Sequence, residues 1–161
     1  MLDKQQIQED GYDFPYHYMD LRSEEYRLLL HLDYISRLKV VKDLLKPFVG
    51  QRVLDAGCGD GRFCYELKGE NVEVVGVDFS ERAVGFARAF SPEGEFYAQD
   101  LKDIKLPYQF DVVVFIETLE HIIPEEIPAV LDSLAKVMKP EGRLILTVPS
   151  VNIDLALVPK H

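Results

Sequence analysis

The sequence predicts an α/β fold, a doubly wound parallel sheet of about five strands with helices on both faces. Three features carry that expectation. Short apolar runs alternate with helical patterns, which implies right-handed strand–helix–strand crossovers and a sheet covered on both sides. The runs are dense in β-branched residues, above all Phe110-Asp-Val-Val-Val-Phe-Ile116, as buried strands are. Four acids, Asp55, Asp78, Asp100 and Glu117, fall at or just beyond the carboxyl ends of four of these runs, the rim where such sheets bind ligands.

The elements follow in order. Residues 1–22 are polar and then aromatic, with Tyr12, Phe14, Tyr16 and Tyr18 around Pro15. Pro15 restrains its predecessor toward extended geometry, so an arm is expected rather than a long helix. Its rings either close over a ligand as a lid or pin the arm to the core, the second being the commoner use; His17 is a candidate ligand contact, though a lone histidine is usually packed or solvated. Residues 23–49 read as one helix, with Ser23 as cap, acids at Glu24 and Glu25 in the first turn, an apolar stripe through Leu30, Tyr34, Leu38, Val41 and Leu45, and a stop at Pro47 and Gly50.

Residues 50–150 form the core. Strands are expected at Arg52–Asp55, Glu73–Asp78, Glu95–Ala98, Phe110–Ile116 and Arg143–Val148, the last after a turn at Pro140-Glu-Gly142. Helices are expected over Gly61–Lys68, from a Ser80 cap to Phe90, and from Pro124 to Met138. Pro124 and Pro128 are tolerable only before or within the first turn of that last helix. Residues 151–161 are a tail, and the 161 residues suffice for one domain.

Composition narrows the partners. The formal net charge is −10, from 28 acidic and 18 basic residues, with no cluster of Lys and Arg. Nucleic-acid binders normally carry a basic face, so a small-molecule substrate is expected and nucleic acid is not. No apolar run is long enough to span a bilayer, and the opening Met-Leu-Asp-Lys-Gln-Gln lacks signal-peptide character. The two cysteines, Cys58 and Cys64, cannot build a zinc site alone and are expected to be reduced, in a cytoplasmic protein.

The chain turns on Asp55-Ala-Gly57-Cys-Gly59-Asp-Gly61. Three glycines in five residues after a strand allow a sharp turn and leave no side chains between backbone and ligand. A dinucleotide fingerprint would have a third glycine where Arg62 stands, and Asp55 is badly placed for a pyrophosphate. A nicotinamide-dependent oxidoreductase is therefore disfavoured. An ammonium or sulfonium would instead welcome the carboxylate.

At this point the sequence resembles the class I S-adenosylmethionine-dependent methyltransferases. The glycine loop is similar to their first motif, Val74-Val-Gly-Val-Asp78-Phe-Ser80 to the second, Tyr97-Ala-Gln-Asp100-Leu101 to the third and Phe110–Glu117 to the fourth. Lys139–Leu146 resembles the turn and fifth strand that follow. Glu117-Thr-Leu-Glu-His121 gives it the flavour of the quinone-biosynthesis type and its small-molecule relatives. The resemblance implies strand order 3-2-1-4-5 and S-adenosyl-L-methionine as cofactor. It also implies roles: Asp78 for the ribose hydroxyls, Phe79 against adenine, and Asp100 with the Leu101 amide at the base edge. Gly57, Cys58 and Gly59 would lie along the methionyl part, with Asp55 near its ammonium and Glu117 beside the sulfonium. Asp60, Arg62 and Cys64 are left as structural or solvated, and Cys58 is expected simply because it is small.

Methyl transfer is an in-line displacement in which alignment supplies much of the catalysis, while a hydroxyl acceptor also needs a base or a metal. His121 is the candidate base, with a backbone-holding loop histidine as the plainer reading. Glu117, Glu120, His121 and the final His161 together are similar to the metal site of small-RNA 2′-O-methyltransferases, though the acidic charge argues against RNA. The family's last two strands are missing, so the fifth strand is expected to need cover: a shortened chain, a homodimer or a partner subunit. The last two strands matter to acceptor recognition more than to the cofactor. A cofactor-binding but catalytically incomplete subunit is therefore the alternative function.

Overall fold

The computed structural model describes residues 4–18, 25–45 and 50–149. Five parallel strands form one sheet in the order β3-β2-β1-β4-β5, as the resemblance implied. They are β1 (Arg52–Ala56), β2 (Glu73–Asp78), β3 (Glu95–Ala98), β4 (Phe110–Ile116) and β5 (Met138–Thr147). The helices are α1 (Lys4–Gly11), α2 (Glu25–Leu45), α3 (Arg62–Glu66), α4 (Glu81–Phe90) and α5 (Ile127–Val137). The Ser23 cap, the Pro47 stop and the 151–161 tail lie outside the described residues.

Successive side chains on a strand point to opposite faces, and the sheet uses both. Leu54, Ala56, Val75, Val77, Val113 and Phe115 face α5 with Val130, Leu134 and Val137. Val53, Val112, Val114 and Ile116 face α2 and α3 through Leu38, Val41, Leu45, Phe63 and Leu67. The predicted α2 stripe thus packs at Tyr34, Leu38, Val41 and Leu45. Val112, Val113, Val114 and Phe115 are wholly buried, and burying such side chains contributes about 1.5–3 kcal/mol each. This makes β4 the spine on which the rim rests.

Four elements differ from expectation. Residues 4–11 of the arm are a short helix: Pro15 restrains only its neighbours, and Gln6 Nε2 bonds Asp10 Oδ1 at 2.8 Å one turn along. α3 is shorter than predicted because Gly61, at φ 79°, is left-handed and caps it, while Leu67 ends it. α5 begins at Ile127 after a separate 3₁₀ turn at Pro124–Glu126, with Pro128 in its first turn. The turn at Pro140-Glu-Gly142 is a bulge inside β5: Phe110 pairs with Met138 and Val112 with Arg143, with a register shift between. Lys139 Nζ bonds Asp111 Oδ1 at 2.7 Å across that bulge, so pairing resumes rather than ending.

The glycine loop needs its glycines for different reasons. Gly57, Gly59 and Gly61 all have positive φ, a region that costs other residues energy. A Cβ on Gly57 would overlap Thr118, and one on Gly61 would stand 2.6 Å from Ala87 Cβ. The last glycine therefore sets how closely α4 approaches the loop.

Candidate active site

The loop is tied to its neighbouring strand before any ligand is considered. Gly57 and Cys58 donate their backbone N–H groups to Val77 O at 2.7 and 3.0 Å. Gly59 N–H donates to Asp78 Oδ2 at 2.9 Å, and Ser80 N–H to Oδ1 at 2.9 Å. Ser80 then caps α4, its Oγ accepting from Ala83 N at 3.1 Å. Asp78 is thus oriented by two backbone donors on oxygens that each accept more than one hydrogen bond. Burial raises its pKa, against the lowering effect of those donors.

Asp55 is 2% exposed. Burial pushes its pKa up to about 7, opposed by the Cys64 Sγ–H that donates to Oδ2 at 3.4 Å and assisted by the nearby Asp78 charge. The carboxyl therefore sits near half-ionisation at neutral pH and is poised for a cation. Cys64, expected to be merely structural or solvated, holds this group in place. Cys58 is buried and its thiol is pushed well above the usual range, chiefly by burial, so it stays protonated and unreactive.

Both acids face a cleft of about 800 Å³. Gly57, Cys58, Gly59, Phe79, Asp100, Leu101, Glu117, Glu120 and His121 line it with them, so every predicted site residue within the described part of the chain reaches the same cavity. Asp100 caps the short turn Leu101–Asp103 by accepting from Lys102 N at 2.9 Å. Lys102 Nζ lies 3.4 Å from Asp100 Oδ2 and 3.1 Å from Glu126. Leu101 is buried and Phe79 half-buried.

Glu117 follows β4 with φ at +48°, uncommon for a side chain-bearing residue. The structure over-determines that conformation: its N–H donates to Thr147 O, Thr147 Oγ1 donates to its Oε1 at 2.8 Å, and Arg37 pairs with Oε2. His121 and Glu120 are exposed at the cleft mouth. Among the described residues no group of three or more His, Cys, Asp or Glu could hold a metal ion, and His161 lies outside them. Glu117 stands in the cleft as half of an ion pair with Arg37.

Sequence reasoning misses Arg37 and the partners of Asp60. Arg37, on α2, brings a cation to the β1–β4 end of the cleft. Asp60, expected to be structural or solvated, is fully buried and accepts from His17 N and Nδ1. Tyr12, one of the arm's rings expected either to close over a ligand or to pin the arm to the core, is buried and lines the cleft. No local spacing marks Arg37 or the Asp60 contacts, because both are made across the fold.

Among the described residues no helix is long and apolar enough to cross a membrane. Residues 24–158 match the sequence profile of a methyltransferase domain. The ubiquinone biosynthesis O-methyltransferase of Xylella fastidiosa is 32% identical over 133 residues, 79% of this chain and 50% of that protein. The mitochondrial ubiquinone biosynthesis O-methyltransferase of Schizosaccharomyces pombe is 32% identical over 132 residues, 76% and 47% of the two chains. The chain thus spans about half the length of these relatives. Among solved structures, magnesium protoporphyrin IX methyltransferase from Synechocystis PCC 6803, with bound S-adenosylmethionine, superposes with a TM-score of 0.76 at 27% identity. That match covers 91% of this chain and 76% of that one. A protein from Pyrococcus horikoshii OT3 superposes at 0.68 with 32% identity, covering 89% and 62%. With the sheet order, the glycine loop and the acidic rim in register, this chain belongs to the methyltransferase-domain family.

Proposed function

We propose that this chain transfers a methyl group from S-adenosylmethionine to a hydroxyl of a small-molecule acceptor. The observation that carries the reading is the rim itself: left-handed glycines, which keep side chains off the loop, between the buried acids Asp55 and Asp78. The donor set suits the cofactor's chemistry. Asp78 offers two acceptor oxygens for a ribose diol, Asp55 a carboxyl for an ammonium, and Arg37 a guanidinium for a carboxylate. Phe79 supplies an aromatic face to a purine, Asp100 an acceptor for its amino group, and the Leu101 amide a donor to the ring. When bound, the cofactor supplies an electrophilic methyl on a sulfonium.

The chain's own task is then to orient and to move a proton. Gly57, Cys58 and Gly59 let the methionyl part lie against backbone, and the Arg37–Glu117 pair stiffens the floor beside it. His121, at the mouth, takes the acceptor's hydroxyl proton as general base. The names of the curated relatives support an oxygen acceptor, and the formal charge of −10 supports a small molecule over RNA. Free thiols at Cys58 and Cys64 suit a cytoplasmic location. The exposed Leu144 and Leu146 on β5, with Val148 just beyond it, suit an edge covered by a second copy or another subunit.

Methyl-labelled cofactor tests the reading against small phenols and catechols on one side and small RNA on the other. The expected result is label on a small hydroxylated acceptor, falling roughly 100-fold in His121→Gln. Label on RNA alone, dependent on added divalent ion, would replace this reading with the metal-dependent one.

A further inference from the structure

Two sets of contacts tie residues 4–18 to the elements that carry the rim. In the first, the Glu9 carboxylate accepts from the backbone N–H groups of Glu81 and Arg82 at 2.7 and 3.1 Å, the first residues of α4. Arg82 Nη1 donates back to Glu9 O at 2.7 Å and reaches Asp13 at 3.2 Å. In the second, Asp60 accepts from His17 N at 3.1 Å and Nδ1 at 2.8 Å, while Arg62 Nη1 donates to His17 O at 3.1 Å. The His17 ring stacks on Tyr34 of α2, with centroids 4.5 Å apart, and Tyr18 stacks on Phe90 at 3.9 Å.

Between these anchors the chain crosses the glycine loop. A Cβ placed on Gly59 would lie 2.6 Å from Tyr12 Oη and 3.6 Å from His17 Cε1. Ile7, Gly11, Tyr12 and His17 form part of the cleft wall. Tyr12 is the buried side chain of the crossing segment, while Ile7 and Phe14 are exposed, as are Asp10, Gly11 and Asp13. The segment is therefore held by discrete polar contacts and a few ring stacks, the kind of element that opens without unfolding the sheet beneath it.

We propose that Asp60 and His17 are a latch, with Glu9 as its second anchor, and that residues 4–18 form a strap which opens to exchange the cofactor and closes to retain it. The inference rests on the cofactor reading above. Asp60 and His17 are positioning residues in it: Asp60 adjoins Gly59, so a ligand seated on that loop and a strap latched to it stabilise one another. By linkage, the ligand must order the strap as much as the strap retains the ligand.

Hydrogen exchange on the full chain, with and without S-adenosylhomocysteine, and stopped-flow dissociation of that ligand test the latch together. In the unaltered chain the ligand should slow exchange across residues 9–18. His17→Ala should abolish that protection and speed ligand release roughly tenfold, the usual route by which lost contacts weaken binding. Exchange in β1, β2 and β4 should stay unchanged, which separates an opened strap from an unfolded core, and Glu9→Gln should fall between. Equal release rates in His17→Ala and the unaltered chain, or strap exchange indifferent to ligand, would overturn the latch and leave the cofactor reading standing. Failure of the unaltered chain to bind S-adenosylhomocysteine would overturn both.

Discussion

Asp55→Asn should make the ligand-free chain more stable and the cofactor site much weaker. The folded carboxyl titrates at about 7 against 3.8 for the ordinary group, so burial disfavours its charged form. Because its folded pKa is raised, the native state binds more protons than the unfolded state between those two values. Its contribution to stability is therefore lost as pH rises from about 4 to 7, reaching about 4 kcal/mol above that window. A neutral amide of the same shape escapes this penalty. The thermal midpoint of Asp55→Asn should exceed that of the unaltered chain most clearly at pH 8, with the advantage shrinking toward pH 4. Binding runs the other way. Affinity for S-adenosylhomocysteine should rise with pH through 7 in the unaltered chain as Asp55 ionises. In Asp55→Asn it should be roughly 10- to 100-fold weaker and flat, since a charge-assisted contact to the ammonium is worth about 1.5–3 kcal/mol. Unaltered affinity in this variant would remove Asp55 from the site.

Asp78→Ala should lose the cofactor by roughly 100-fold or more, the largest binding effect expected of any single rim residue. Two ribose hydroxyls would lose their acceptors, and the N–H groups of Gly59 and Ser80 would lose theirs. The second loss loosens the loop as well as the contact. Removing a carboxylate whose ionisation burial disfavours offsets part of the cost to folding. The thermal midpoint should therefore move far less than the affinity, and Asp78→Asn, which keeps one acceptor oxygen, should sit between. Calorimetric titration of the three proteins beside their melting curves separates the two effects. A melting loss that accounts for the whole affinity loss would make Asp78 a structural residue only.

The acidic rim was legible in the sequence because it is local, whereas the strand order followed from the family resemblance. Each acid follows its own strand, and the glycines sit at fixed steps beyond Asp55, so strand periodicity carries Asp55, Asp78, Asp100 and Glu117 to one end of the sheet. What sequence could not give depends on contacts across the fold. Arg37 is one of several cations on a long helix, and only the packing of α2 against β1 and β4 brings it to Glu117. Asp60 reads as either a structural or a solvated loop acid, and only the bond from His17, 43 residues away, decides between them. Pro140-Glu-Gly142 has the composition of a turn, yet Met138 and Arg143 both pair with β4 and convert it to a bulge. The short helix at Lys4–Gly11 was hidden behind Pro15, whose effect stops with its neighbours.

The central claim is that the rim of Asp55, the glycine loop and Asp78 is a cofactor site for a sulfonium nucleoside and not for a dinucleotide. Isothermal titration of the full chain with S-adenosylhomocysteine, and separately with NAD, measures this directly. The account predicts one S-adenosylhomocysteine bound per chain, in the micromolar range or tighter, and no heat with NAD. Binding of NAD alone would contradict it.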